Sequence, residues 1–73
     1  MSLVNIYVIE GVFSESEKTK MIQKVTDAVI EVSGELTRGI TWVKVHDIPD
    51  GQWGIAGNII TASDMKQLRD NEY

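Results

Sequence analysis

The chain has 73 residues, of which 42% are hydrophobic and none is cysteine, and its formal net charge is −4. The lack of cysteine excludes disulfides and thiolate metal sites, and the one histidine, His46, is too few for a histidine-rich zinc site. Scattered Lys and Arg residues argue against a nucleic-acid binder. The longest apolar runs fall short of the roughly 18 residues that a membrane span requires.

A domain of this length has a small core. Chains of about 60 residues bury only about 60% of their unfolded surface, and small domains without disulfides or metals often depend on association. We therefore expect residues 1–73 to form one domain that other copies of the chain complete. The amino-terminal residues lack a basic region followed by an apolar stretch, so we expect a cytoplasmic protein without a secretory signal.

The first predicted element is a β-strand over residues 3–9, which is rich in β-branched and aromatic side chains. Its two faces carry Val4, Ile6 and Val8 on one side and Asn5, Tyr7 and Ile9 on the other. Apolar residues on both faces are typical of parallel sheets and of interfaces, since such strands are covered on both sides.

A long amphipathic helix is predicted next. Ser14 and Glu17 have the spacing of a capping box, and the helix extends to about Ser33, where Gly34 suits a left-handed terminal position. Its apolar residues recur every three or four positions and form one stripe: Met21, Ile22, Val25, Ala28, Val29 and Val32.

A second strand is predicted over residues 40–47. A long helix between two strands favours a right-handed crossover between parallel strands. Val43 and Val45 would then cover the helix, and the opposite face would carry Tyr7, Trp42, Lys44 and His46. For His46 we expect an ordinary hydrogen bond near the strand end.

The remaining residues predict short elements. Residues 47–51 have the composition of a turn, and the glycine-rich residues 51–58 predict a short hairpin. Residues 61–69 predict one or two helical turns, and residues 70–73 a loose tail. The expected fold class is α/β: a β-α-β unit with parallel strands and a short C-terminal β-hairpin, assembled into an oligomer.

Several short motifs, in order, resemble the 4-oxalocrotonate tautomerase family over roughly residues 2–60. They are Ile6 to Gly11 at the end of the first strand, Ser14 to Lys18 at the start of the helix, Val25, Ala28 and Gly34, then Val43 to Val45 and Trp53 to Gly57. Each motif is short, and the resemblance depends on their order and spacing in a chain of family length.

The resemblance implies a hexamer, either a trimer of dimers or a heterohexamer, that needs no cofactor or metal. It also implies that an amino-terminal proline moves a proton between oxygen and carbon of an enol. A free α-amino group has a pKa of about 8, and an apolar pocket lowers that pKa because the charged form is poorly solvated there. Such a base is efficient near neutral pH, while cationic side chains hold substrate carboxylates.

The family positions map onto this chain with three substitutions. Ser2 stands at the position of the catalytic proline, and one hypothesis is that residues 1–3 are a leader added in cloning. Val12 and Trp42 stand where the resemblance places two arginines. Lys44 is the nearest cationic substitute, and Arg38 is a more distant one.

The resemblance therefore predicts a site with Ser2 at the catalytic position and a substrate pocket of Ile9, Trp42, Lys44 and Trp53. The expected substrate is a small carboxylate, with neither nucleic acid nor membrane as a partner. Packing alone would also explain Trp42 and Trp53, and Lys44 could extend to solvent. Two other functions stay open. One is a catalytically silent oligomeric homologue, which either binds a small metabolite or is only structural, and the other is a dehalogenase or decarboxylase of the same superfamily.

Overall fold

A parallel pair of strands joined by a long helix forms the frame of this protein, for which a computed structural model describes residues 1–71. In chain order the elements are β1 (Ser2–Ile9), α1 (Glu15–Ser33), a 3-10 helix (Glu35–Ile40), β2 (Thr41–Ile48), β3 (Gly54–Ile55), β4 (Asn58–Ile59) and α2 (Ala62–Asp70). The predicted α/β class and the β-α-β order are confirmed.

The register of β1 and β2 sets the two faces of the sheet. Leu3 lies beside Trp42, Asn5 beside Lys44 and Tyr7 beside His46. These pairs occupy the face away from α1, as the alternation predicted. β1 is one residue longer than predicted, since it begins at Ser2 and ends at Ile9 as expected. β2 is displaced by one residue, because Ile40 ends a 3-10 helix that the sequence analysis did not anticipate.

Both ends of α1 have the predicted caps. Ser14 Oγ accepts a hydrogen bond from the Glu17 amide at 3.1 Å, and Glu17 Oε1 accepts one from the Ser14 amide at 2.9 Å. Gly34 ends the helix at φ 98°, a conformation that favours glycine. Lys18 Nζ, 2.8 Å from Asp47 Oδ2, ties the start of the helix to the end of β2.

The apolar stripe of α1 differs from its prediction at the end of the helix. Val32 was placed in the stripe, yet it is 90% exposed, whereas Ile30 was omitted and is 5% exposed. Ile22, Thr26 and Ile30 follow one another at four-residue spacing toward the sheet. Val32 lies about 200° around the axis from Ile30, because each residue turns the helix by about 100°.

The C-terminal segment adds a hairpin and a second helix. β3 and β4 pair antiparallel across Ala56 and Gly57, which confirms the hairpin. Thr61 and Asp64 form a capping box at the start of the nine-residue α2. Asp70, which was assigned to a loose tail, is the last residue of this helix, and residues 72–73 lie outside the described range.

Few side chains of one copy are buried. The buried apolar residues of the described chain are Val8, Ile9, Val12, Ile30 and Ala62. Large apolar side chains remain in contact with solvent, among them Leu36, which is fully exposed, and Trp42, which is 61% exposed. Among residues 1–71, neither helix has the length and apolar character needed to cross a membrane.

Candidate functional site at the two ends of the parallel sheet

The predicted site residues separate into two groups within one copy of the chain. Ser2, Trp42 and Lys44 line a cleft at the amino end of β1. Ile9 and Trp53 line another at the opposite end of the strand. Ser2 and Ile9 are the first and last residues of β1, about 23 Å apart at roughly 3.3 Å per residue. A small ligand therefore cannot contact both groups in a single copy.

The cleft at the amino end of β1, which we call the amino-end cleft, has a volume of about 460 Å³ and is lined by Met1, Ser2, Leu3, Trp42 and Lys44. Trp42 and Lys44 project from the face away from α1, since they pair with Leu3 and Asn5. Ser2 pairs with Thr41 and belongs to the helix side, at the border between the two faces. An anion in this cleft would meet the Lys44 ammonium and the apolar wall of Trp42.

The second cleft, which we call the apolar cleft, measures about 320 Å³. Its walls are Tyr7, Val8, Ile9, Val12, Phe13, Trp53, Ile55, Ile60 and Met65. Ile9 is 6% exposed and packs in one cluster with Val12 and Ala62, against which Trp53 and Met65 also pack. The structure thus brings Ile9 and Trp53 together with side chains of the hairpin and of α2.

Arg69 fastens α2 to the start of α1, and sequence reasoning missed it. Its Nη1 donates a hydrogen bond to the Val12 carbonyl at 3.0 Å, and its guanidinium pairs with the Glu17 carboxylate. The guanidinium carbon also lies 4.7 Å from the centre of the Phe13 ring. The Thr61–Asp64 cap and the spacing of Ala62, Met65 and Arg69 on one helix face were the available signals.

Glu17 serves both helices. The hydrogen bond from Arg69, followed by that from the Ser14 amide, lowers the pKa of the Glu17 carboxyl from 4.5 to about 2. The same carboxylate completes the capping box of α1. Attachment of α2 is thus coupled to the first turn of α1 through one side chain.

The other polar side chains considered in the sequence analysis have local partners. Arg38 Nη1 lies 2.9 Å from Asp27 Oδ1, and its Nε lies 2.9 Å from Glu35 Oε1. These bonds, with that to Glu35 the larger, raise the pKa of Arg38 and hold its guanidinium beside α1. His46 Nε2 lies 2.9 Å from Asn5 Oδ1, and its ring stacks on Tyr7, which is the ordinary role expected for it.

Fold and clefts together define a class of protein: a small β-α-β domain with a cationic cleft and an apolar cleft at opposite ends of a two-stranded parallel sheet. Within residues 1–71, no group of three or more histidine or acidic side chains gathers as a metal site. None of the acidic side chains in that range is buried.

Comparison with known proteins identifies the family. The family model described as "Tautomerase enzyme" matches residues 3–63. A 2-hydroxymuconate tautomerase of Comamonas testosteroni is 42% identical over 57 residues, which are 78% of this chain and 87% of that protein. The chain therefore belongs to the tautomerase family, and it is an isomerase of that family.

Solved structures agree with this assignment. A structure from work on the 4-oxalocrotonate tautomerase isozymes of Methylibium petroleiphilum superposes with a TM-score of 0.69 at 36% identity, covering 86% of this chain and 95% of that one. The structure of apo unfused 4-OT superposes with a TM-score of 0.68 at 18% identity, over 82% of this chain and 97% of the other, which supports the fold alone. The predicted resemblance to the 4-oxalocrotonate tautomerase family is confirmed.

Proposed function

We propose that this chain catalyses the enol–keto tautomerisation of a small 2-hydroxy-dienoate or related 2-oxo acid, without a cofactor. An amino-terminal amine at the position of Ser2 acts as the base. It takes the proton of the enol hydroxyl and returns a proton to a carbon of the dienol. The O–H bond breaks and the C–O single bond becomes a carbonyl, while the electrons of the carbon–carbon double bond shift toward the carbon that forms the new C–H bond, so no further reactant is consumed.

The amino-end cleft is the observation that carries this proposal, because it holds Ser2 beside Lys44 and Trp42. Lys44 binds a substrate carboxylate and stabilises negative charge on the oxygen as the proton leaves. Trp42 supplies an apolar wall beside the amino terminus. With Lys44 as the cation of this cleft, we expect one carboxylate to be bound there.

The complete pocket uses more than one subunit in this proposal. Ile9 lies about 23 Å from Ser2 along β1, and Trp53 lines the same cleft as Ile9, so another copy must supply both to form one cavity with Ser2. We propose a homohexamer, a trimer of dimers, as the assembly and the cytoplasm as its location. The small carboxylate substrate is then enclosed between copies.

A variant with proline at position 2 tests the function directly. We expect Ser2→Pro, with Met1 removed as verified by intact mass, to accelerate ketonisation of phenylenolpyruvate or 2-hydroxymuconate above the buffer rate in an ultraviolet assay. Blocking the terminal amine should abolish the gain. Retention of Met1 would move that amine by about 3.8 Å, which is too far for efficient proton transfer.

Lys44 has a matched control on α1. In the Ser2→Pro background, Lys44→Met should lower kcat/KM by about tenfold or more, which corresponds to the loss of one charged contact in the transition state. Lys24→Met removes the same charge from the exposed face of the helix and should leave kcat/KM unchanged. Equal losses in both variants would contradict the assignment of Lys44.

A catalytically silent homologue that binds a small metabolite is the second candidate. It is favoured by Val12 and Trp42, which stand where the resemblance places arginines. Ketonisation that never exceeds the buffer rate, even in Ser2→Pro with a free terminal amine, would establish this alternative. A dehalogenase or decarboxylase needs an acid placed to activate water, and no acidic side chain of residues 1–71 lines either cleft.

A further inference from the structure

We propose that α2 sets the substrate preference of this site, because its residue Met65 forms part of the wall of the apolar cleft. The enzyme then selects a monocarboxylate with an aromatic or alkyl tail over a dicarboxylate. This inference rests on the proposed function, because it concerns the substrate of the same site. It assigns the role to residues beyond position 63, where the match to the family model ends.

The chemistry of the apolar cleft favours an uncharged tail. Its wall is made of side chains without ionised groups, including Ile9, Phe13, Trp53 and Met65, and Tyr7 contributes a phenol. A volume of about 320 Å³ falls in the range of small-molecule pockets, roughly 300–1,000 Å³. A carboxylate placed there would lose part of its hydration without gaining a cationic partner, which is unfavourable.

Arg69, a cation in contact with a residue of the cleft wall, already has a counter-ion. Arg69 is absent from the wall, and its guanidinium is directed to the Val12 carbonyl and to the Glu17 carboxylate. A distal carboxylate of a substrate would have to compete with Glu17 for it. The guanidinium instead stacks on Phe13, a residue of the wall, and holds that ring in place.

The position of Met65 is fixed by contacts at both ends of α2. At the amino end, Ala62 is 8% exposed, and its amide donates to Asp50 Oδ1 at 2.9 Å. At the carboxyl end, Arg69 binds residues near the start of α1. A wall held at both ends keeps its shape, so it discriminates between tails by complementarity and charge.

The two clefts then divide the recognition of one substrate. Lys44 in the amino-end cleft of one copy binds the single carboxylate, and the apolar cleft of another copy receives the tail. A dicarboxylate can bind Lys44 through one carboxylate, but its second carboxylate is unfavourable in the apolar cleft. The tail preference therefore depends on Met65, while the requirement for a carboxylate depends on Lys44.

Inert ligands test this inference without turnover. We expect calorimetry to show that the chain binds cinnamate, an aromatic monocarboxylate, at least about tenfold more tightly than cis,cis-muconate, a dicarboxylate. Met65→Lys places a cation in the apolar cleft and should shift the ratio toward muconate by about tenfold or more. Gln67→Lys adds the same charge on the exposed side of α2 and should leave the ratio unchanged.

Met65→Gln is a second variant, to be used if circular dichroism shows that Met65→Lys fails to fold. It is polar and uncharged, and it should weaken cinnamate binding while muconate binding stays the same. Equal affinity of the unaltered chain for both ligands, or equal effects of Met65→Lys and Gln67→Lys, would overturn the inference. So would a failure of the chain to bind either ligand.

The same measurements separate this inference from the proposed function. If cinnamate preference and its reversal are observed while Ser2→Pro shows no ketonisation, the inference about α2 stands and the proposed reaction fails. The opposite result is also informative. If ketonisation is observed but the ratio of kcat/KM for phenylenolpyruvate to that for 2-hydroxymuconate is the same in Met65→Lys and Gln67→Lys, the proposed reaction stands and the role of α2 fails.

Discussion

Glu17 accepts hydrogen bonds from the Ser14 amide and from Arg69, so one carboxylate holds the first turn of α1 and the last turn of α2. Its pKa is lowered to about 2, mainly by Arg69. A carboxyl with a lowered pKa stabilises the folded state above its ordinary pKa, and this contribution is lost as pH falls through the folded value. Attachment of α2 should therefore weaken between about pH 4.5 and pH 2.

We expect acid titration to release α2 before α1 unfolds, reported by Trp53 fluorescence in a Trp42→Phe background. Glu17→Gln retains a hydrogen-bond acceptor for the cap but removes the ion pair, so the acid step should become smaller. The part of the acid step that remains in Glu17→Gln reports the protonation of Asp64, whose pKa is lowered by its hydrogen bonds with Thr61 in the cap of α2. Glu35→Gln, which removes the pair with Arg38, should leave the Trp53 signal unaltered.

At the scale of elements, the hairpin contains a residue in an unfavourable conformation. Ala56 has φ 52° and Gly57 has φ 82°, as a two-residue hairpin turn requires of both central positions. The left-handed region costs a residue with a side chain about 1–2 kcal/mol. Glycine removes that cost, but it also loses more conformational entropy on folding.

Ala56→Gly should therefore increase the free energy of unfolding by about 0.5–1 kcal/mol in a urea titration at fixed protein concentration. The same change at Ala28, within α1, should lower it by about 1 kcal/mol or more, because glycine is unfavourable within a helix. Equal destabilisation of both variants would contradict the prediction that Ala56 is strained in the hairpin turn.

Local patterns determine the elements that the sequence predicted. Alternation in β1 and β2 and three- to four-residue spacing in α1 follow from side-chain directions along the backbone, so their bounds agreed to within one residue. The sequence pattern does not determine which residue is buried at the end of α1. Ile30 and Val32 are both apolar, and only the position of the sheet determines which one it covers.

The sequence predicted less of the candidate site than of the fold. Ser2, Trp42 and Lys44 were related by family resemblance and by strand alternation, and they share a cleft. Met65 and Arg69 could not be placed, because their roles arise from contacts such as that of Arg69 with Glu17, which lies 52 residues earlier. A short polar helix has no periodic signal strong enough to show where it packs.

At the scale of the whole molecule, one copy leaves extensive apolar surface on the helix side. A cleft of about 510 Å³ there is lined by Met1, Val25, Ala28 and Val32, among others. Leu36 and Val32 remain exposed nearby, at 101% and 90%. Burying such surface against another copy is the main source of stability available to so small a chain.

We expect the melting temperature to rise with protein concentration, because association stabilises the folded state by mass action. Val32→Lys should reduce this dependence and lower the assembly size in analytical ultracentrifugation. A cation near the end of a helix is intrinsically favourable, so any loss reflects contacts between copies. Gln23→Lys, on the exposed surface of the same helix, should not change the assembly, and a stable wild-type monomer at micromolar concentration would contradict the prediction.

The pairing of β1 with β2 alone, in the part of the chain that the structure describes, leaves each strand with one open backbone edge. Open edges of this length are templates for further strands, and identical copies that join along them either close into a ring or continue as a filament. Variants that change the angle at which copies join along these edges should therefore form filaments, whereas variants that weaken the contact itself should release smaller species.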